Sequence, residues 1–252
     1  MVVDACTYNG ERELWDIHYQ SLKDYVDEFI VLEFSETFSG VPKDKTFPVE
    51  DYPGVTYYFL RETDYEKYRG LAETSPNTKG ASHWTREFMQ KEAIRDTLTH
   101  LKDADMVFIG DVDEVWDPKV LTWHWFPVKL KLKVYTYYLN NRSSEQFAGT
   151  LVAPYYMIKD RCLNHLRSFT THSKYEAGWH FTSMGGAVSL RKKLEDSYTQ
   201  ESYATPHVLE NLAYNIEQSR DFLGRAFTYQ RDESEWPEFL KKNREKYTHL
   251  LT

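Results

Sequence analysis

Residues Asp105–Pro118 read DMVFIGDVDEVWDP. The apolar run Met106–Ile109 ends at Gly110, and the acids Asp111, Asp113 and Glu114 follow at once. Like charges crowded at the end of a buried strand repel one another, so one takes up a proton or a cation joins them. In extended backbone, positions two apart point the same way, which sets Asp111 and Asp113 on one side and Val112 on the other. Hard carboxylate oxygens select Mg²⁺, Mn²⁺ or Ca²⁺. Two carboxylates leave such a shell incomplete, and ions of the Mg²⁺ type finish it with water and substrate phosphates. The pattern therefore predicts a divalent ion shared with a diphosphate. Asp113 is the expected direct ligand. Asp111 contacts the ion or a ribose through water, and Glu114 is either an orienting neighbour or a surface acid.

Spacing removes rival acidic motifs. Counted from Asp111, a calcium hand needs an acid at position 115 and glycine at 116, where Val115 and Trp116 stand. A chitinase-type site needs glutamate at 115, and a haloacid-dehalogenase-type site needs threonine there. A plain D-x-D after a strand is left, and in an open α/β sheet ligands sit beyond the carboxyl ends of strands.

The elements that must carry this strand end are legible as hydrophobic patterns. Apolar runs at 2–7, Phe29–Leu32, Val55–Leu60 and Met106–Ile109 predict strands. Helical spacing appears at 11–25 and 83–101, the latter with Trp84, Phe88, Ile94, Leu98 and Leu101 on one stripe. Segments 34–53 and 61–82 read as loop. Strand and helix alternate, which argues for an α/β fold with a parallel core. The second half differs. VKLKLKVYTYYL (128–139) alternates with period two and predicts a half-exposed strand. Further strands are expected at 148–158 and 163–170, and helices near 186–196, 207–221 and 235–250. No linker or repeat divides the chain, so one domain is expected, its halves (1–118 and 119–252) differing in pattern.

Composition narrows the class. The 252 residues carry a net charge of −8, which argues against nucleic-acid binding through phosphates. Aromatic residues make up 16%, which suits a protein that stacks rings on flat ligands, and equally a Tyr-rich core. Cys6 and Cys162 alone form no disulfide framework. No apolar stretch approaches the ~20 residues of a membrane helix, and the N-terminus reads as a strand rather than a signal peptide. The expectation is a soluble, cytoplasmic protein or the catalytic part of something longer.

Four stretches in order, VVDACTYNGERELWDIHYQSL, DEFIVLEFSETFSGVPK, HWTREFMQKEAI before GDVDEV, and AGWHFTSMGG, resemble glycosyltransferase family 17. This is the family of the bisecting β-1,4-N-acetylglucosaminyltransferase. The likeness runs from about residue 2 to about residue 224, and Glu33–Gly40 and Gly178–His180 are its specific parts. It implies a GT-A-like architecture, a Rossmann-like sheet flanked by helices with a smaller mixed acceptor-side region, so that 1–118 would be the nucleotide-sugar-binding half and 119–252 the acceptor-side half. It also implies a UDP-sugar donor, Mn²⁺ or Mg²⁺ on the D-x-D, a glycan acceptor and an inverting transfer. Where the family often continues D-x-D-E with Ile-Pro, this chain has Val115-Trp116.

Other residues are candidates for supporting roles. Tyr8 and Asn9 follow the first strand, where a nucleotide base would lie in such a fold. Arg86 and Gln90 share a helix face and are placed at donor phosphate or base, or on an exposed charged face. Glu33 belongs to the resembling stretch and is counted with the donor contacts. Lys192 and Lys193 are phosphate-neutralising or simply solvated; Trp179 is a sugar-stacking ring or core; His207 marks a helix start. His180 is the expected third metal ligand, because Trp179 and Phe181 alternate with it and leave its imidazole facing the cleft. The general base is left open among Glu176, Glu210, Glu33 and Asp196, with Glu176 and Glu210 preferred. Two alternatives remain: a sugar-nucleotide nucleotidyltransferase, disfavoured by the single glycine of CTYNGERE, and a non-catalytic carbohydrate-binding protein.

Overall fold

The computed structural model describes the chain except residues 77, 79–81, 123–125 and 197–202. The strands are β1 (Val2–Tyr8), β2 (Glu28–Phe34), β3 (Val55–Leu60), β4 (Met106–Asp111), β5 (Glu114–Trp116), β6 (Val128–Thr136), β7 (Asn141–Pro154), β8 (His172–Thr182) and β9 (Tyr229–Arg231). They form one mixed sheet in the order β3-β2-β1-β4-β7-β6-β8-β5, with β9 beside β7. The first four strands of that order are parallel. β7 then runs antiparallel to β4, and β5 antiparallel to β8. The fold is α/β, a curled mixed sheet flanked by helices.

β1, β2 and β4 are almost wholly apolar because both their faces are covered. Cys6, Tyr8, Phe29, Val31 and Phe108 point to the helix Arg12–Leu22, where Trp15, Ile17 and Leu22 meet them. Val3, Ala5, Ile30, Leu32, Val107 and Ile109 point to the other face, against Phe88 and Met89 of the helix Ser82–Glu92 and Ile94 and Leu98 just beyond it. Each large side chain so buried is worth about 1.5–3 kcal/mol relative to exposure. A third, smaller core joins Leu190 and Leu194 of the helix Gly186–Asp196 to Leu212 and Ile216 of the helix Pro206–Glu217. No described helix is long and apolar enough to cross a membrane.

The structure departs from the sequence pattern at several places. Residues 163–170 are a helix, Leu163–Phe169, and not a strand. Its first N–H groups are capped by the Glu92 carboxylate, which accepts from Leu163 N at 3.1 Å and Asn164 N at 3.2 Å. Such a cap has no local signature. The stretch 61–82 holds the short helices Glu62–Tyr65 and Arg69–Thr74, the first started by Asp64 bonding the Arg61 N–H at 2.7 Å. The long helix breaks after Glu92, and a single turn Ile94–Thr97 follows. β6 stops at Thr136 because Tyr137 takes a positive φ of 72°. β7 begins earlier than expected and ends at Pro154, before a 3₁₀ turn at Tyr155–Met157. The last helical region is divided into Glu238–Lys242 and a 3₁₀ stretch, Arg244–Leu250.

Gly178 serves β5 rather than a ligand. In register with Trp116, it lies so close that a Cβ would stand 2.3 Å from the Val115 carbonyl oxygen and 2.7 Å from Trp116 Cα. Both obstacles are backbone. Gly178→Ala should therefore push β5 off the sheet and cost about 1–3 kcal/mol or more, read from the denaturant midpoint. A midpoint equal to the parent's would show that β5 yields without cost.

Candidate active site

A cleft of about 700 Å³ opens beyond the carboxyl ends of β1 and β4. Its walls are the Tyr8–Leu14 segment after β1, Glu87, Gln90 and Lys91 of the helix Ser82–Glu92, the Asp111–Asp113 turn, and Thr182–Gly185 with Lys192 and Lys193. Asp111 is the last residue of β4. Val112 and Asp113 form a tight turn, and Glu114 begins β5. Asp111 and Asp113 both face the cleft and Val112 is buried, so the expected sides are found, produced by a turn instead of a continuing strand.

Asp111 already has cations beside it. Its Oδ2 lies 3.4 Å from Lys91 Nζ and 3.2 Å from Arg167 Nη2, and its Oδ1 accepts from Thr7 Oγ1 at 3.1 Å. Burial disfavours its charge, but Lys91 and Arg167 outweigh that and hold its pKa far below the ordinary carboxylate range. The same Arg167 nitrogen lies 3.3 Å from Glu114 Oε1, while Thr150 Oγ1 donates to Glu114 Oε2 at 2.9 Å. Glu114 is fully buried, and a Cβ on Gly110 or Gly149 would collide with its carboxylate. Burial raises the Glu114 pKa, Arg167 pulling against it and the Asp111 charge adding to it.

Asp113 has a different partner. Its Oδ2 stands 3.4 Å from His180 Nε2, whose ring stacks on Phe147 with centroids 4.1 Å apart. Burial opposes both charges, yet each stabilises the other: the His180 pKa is raised and that of Asp113 lowered. Trp179 and Phe181 turn into the core as the alternation predicts, and the Trp179 indole donates to the Glu235 carbonyl at 2.5 Å. Trp179 is thus core and not a sugar platform.

A carboxylate oxygen and an imidazole nitrogen 3.4 Å apart on the cleft wall are a donor pair for a Mn²⁺-like ion. Adjacent corners of an octahedral shell with ~2.1 Å bonds lie about 3 Å apart. Among the described residues no group of three or more His, Cys, Asp or Glu converges on one point. Asp113 and His180 alone are compatible only with a divalent ion whose shell is completed from outside the chain. Asp111, held by two cations, stands beside them.

The remaining expected residues fall in and out of the cleft. Tyr8, Asn9, Gln90, Lys192 and Lys193 line it. Asn9 Oδ1 accepts from Lys43 Nζ at 2.5 Å, and Gln90 Nε2 lies 3.3 Å from the Glu36 carbonyl. Arg86 reaches the Phe38 carbonyl at 3.1 Å and pins the 36–40 loop from outside the lining. Glu33 has no exposed surface; Thr46, Phe47 and Tyr57 all donate to its carboxylate, which anchors a loop. Glu176 pairs with Arg142 at 2.7 Å on the β8 surface, and Glu210 and His207 are exposed on the helix Pro206–Glu217; none of them lines the cleft. The side chain of Asp196 lies outside the described residues. Sequence reasoning missed Thr7, Glu11, Glu87, Lys91 and Arg167. Lys91 alone had a local signal, its Glu87 partner one turn earlier at 2.8 Å.

An α/β fold with an acidic turn at its strand ends, set on a cleft edged by lysines, presents acidic and basic side chains to one cavity. The model of glycosyltransferase family 17 matches residues 1–185, and the chain belongs to that family. Two similar solved structures are of the galactosyltransferase LgtC. One, in complex with donor and acceptor sugar analogs, is 12% identical over 63% of this chain and 59% of that one, with a TM-score of 0.32. The other, an active-site mutant, is 13% identical over 63% of this chain and 58% of that one, with a TM-score of 0.32. The chain thus spans less than two thirds of the length of either structure. No curated protein matches.

Arg167 bridges two carboxylates in a mostly buried position. Arg167→Met leaves Asp111 to Lys91 and Glu114 without a cation, and should cost about 3 kcal/mol, the low end for a broken buried pair. Thermal melting checks it; a variant melting with the parent would mean that Lys91 and Thr7 suffice.

Proposed function

We propose that this protein is a metal-dependent inverting glycosyltransferase. It moves N-acetylglucosamine or another hexose from a nucleoside-diphosphate donor, UDP-linked, to a glycan hydroxyl. The observation that carries the reading is the Asp113–His180 pair, 3.4 Å apart beside Asp111 in one cleft. Uridine, inversion and N-acetylglucosamine rest on family membership alone. Residues 1–118 form the donor half and 119–252 the acceptor-side half of one catalytic domain, although β8 lends His180 to the donor site.

Asp113 and His180 would hold the ion, which when bound supplies Lewis-acid stabilisation of the diphosphate leaving group. The chain's own residues do the rest. Lys192 and Lys193 add positive charge to the cleft wall where a diphosphate would lie. Lys91, Arg167 and Thr7 keep Asp111 ionised and fixed. As the acceptor oxygen bonds to the anomeric carbon and the carbon–phosphate-oxygen bond breaks, its proton passes to a carboxylate of the cleft. Glu11, Glu36 and Glu87 line that cleft. Glu11 has its pKa raised by burial, Lys193 opposing, which increases its affinity for a proton.

UDP with Mn²⁺ should raise the melting temperature by several degrees, since saturation at a hundredfold excess over Kd adds about 2.7 kcal/mol. UDP with EDTA should do much less, and equal shifts would argue against an ion-bridged diphosphate. Asp113→Asn and His180→Ala should abolish donor turnover while the fold persists by circular dichroism. Glu176→Gln and Glu210→Gln should retain it. Full turnover by Asp113→Asn in excess chelator would sink the proposal.

A further inference from the structure

The acidic turn rests on a buried pair that does not touch the cleft. Asp4 interrupts the apolar run of β1 and is 3% exposed; His18, on the inner face of the helix Arg12–Leu22, is 2% exposed. His18 Nε2 lies 3.2 Å from Asp4 Oδ1, and Nδ1 lies 3.1 Å from the Val112 carbonyl oxygen. Nδ1 faces the Val112 carbonyl, which only accepts, so Nδ1 carries a proton, and Nε2 stands at ion-pair distance from Asp4, where a positive charge on the ring is balanced. Burial works against that charge and Asp4 outweighs it, raising the His18 pKa. Trp15 stacks on the ring at 5.6 Å and fixes its plane. The second Asp4 oxygen accepts from Trp116 Nε1 at 2.5 Å.

One ion pair therefore grips the segment Asp111–Trp116 at two points: the backbone carbonyl between the two aspartates, and the side chain that ends β5. The other carbonyl of the turn, that of Asp113, accepts the Phe181 N–H at 2.9 Å, from the residue after His180. The turn is held by the strand that carries His180 on one side and by His18 on the other. We propose that Asp4 and His18 are positioning residues, which set the Asp113 carboxylate toward His180 through the Val112 carbonyl. The geometry stands by itself; its consequence for metal affinity rests on the proposed function.

Two substitutions separate positioning from mere stabilisation. His18→Asn keeps a donor where Nδ1 stands and gives up Asp4; His18→Gln keeps one where Nε2 stands and gives up Val112. Both remove the cation beside Asp4, so both should lower the melting temperature. Only His18→Gln should release the turn. Its Mn²⁺ dissociation constant in the presence of UDP should rise about tenfold or more, as for other residues that orient a ligand, and the Val112 carbonyl ¹³C resonance should move. In His18→Asn the affinity should stay within about threefold of the parent and the resonance should hold. Equal effects in the two variants, or parental affinity with an unmoved Val112 resonance in His18→Gln, would overturn the proposal. If the parent binds no Mn²⁺, the reading of the cleft fails and the Val112 resonance still decides the positioning. If neither variant folds, ¹⁵N spectra of the parent decide: His18 Nδ1 should be protonated, and an unprotonated Nδ1 would end the idea.

Discussion

Three carboxylates at the end of one strand are the constraint around which this molecule is arranged. Two unit charges ~4 Å apart interact with about 4 kcal/mol at the effective dielectric of a protein. Total stability is about 5–15 kcal/mol, so uncompensated repulsion at Asp111, Asp113 and Glu114 would remove a large part of it. The structure gives each acid a different answer. Asp111 meets Lys91 and Arg167, Asp113 meets His180, and Glu114 is sealed between Gly110 and Gly149, where its pKa rises while the other two fall. Asp111 and Glu114 share Arg167 and remain linked through it, while Asp113 has its own partner in His180.

The counter-charges come from elements far apart in the chain, tied together by one helix. Ser82–Glu92 presents Lys91 to Asp111 and, one residue on, places Glu92 at the start of the helix Leu163–Phe169. That second helix delivers Arg167 to Asp111 and Glu114. Glu92 itself has no exposed surface and takes hydrogen bonds from Leu163, Asn164 and Arg95. A buried glutamate thus sets the position of a mostly buried arginine without touching the cleft.

Charge in this protein is local. The chain is acidic overall, at −8, yet Lys43, Lys91, Lys192 and Lys193 line the cleft. Net charge governs long-range attraction and solubility, whereas an anionic ligand responds to the field at the site. An acidic enzyme can therefore offer a locally basic wall to an anionic ligand.

The sequence by itself determined the parallel strands β1–β4, the two amphipathic helices that cover them, the acidic cluster after β4 and the cleft-facing side of His180. Each of these is a local pattern: continuous apolar runs, a helical stripe, a period-two alternation with Trp179 and Phe181. Only the tertiary structure decided that 163–169 is a helix, since Glu92 caps it from another element, and that Lys91, Arg167 and His18 converge on the turn. It also decided that Glu176, Glu210 and Glu33 stay out of the cleft, each engaged or exposed elsewhere. Local periodicity reports which face of an element is buried. Which charges end up facing each other depends on strand order, here β1 between β2 and β4 with β8 carried across to β5, and that order is written in long-range pairings that no short window of residues contains.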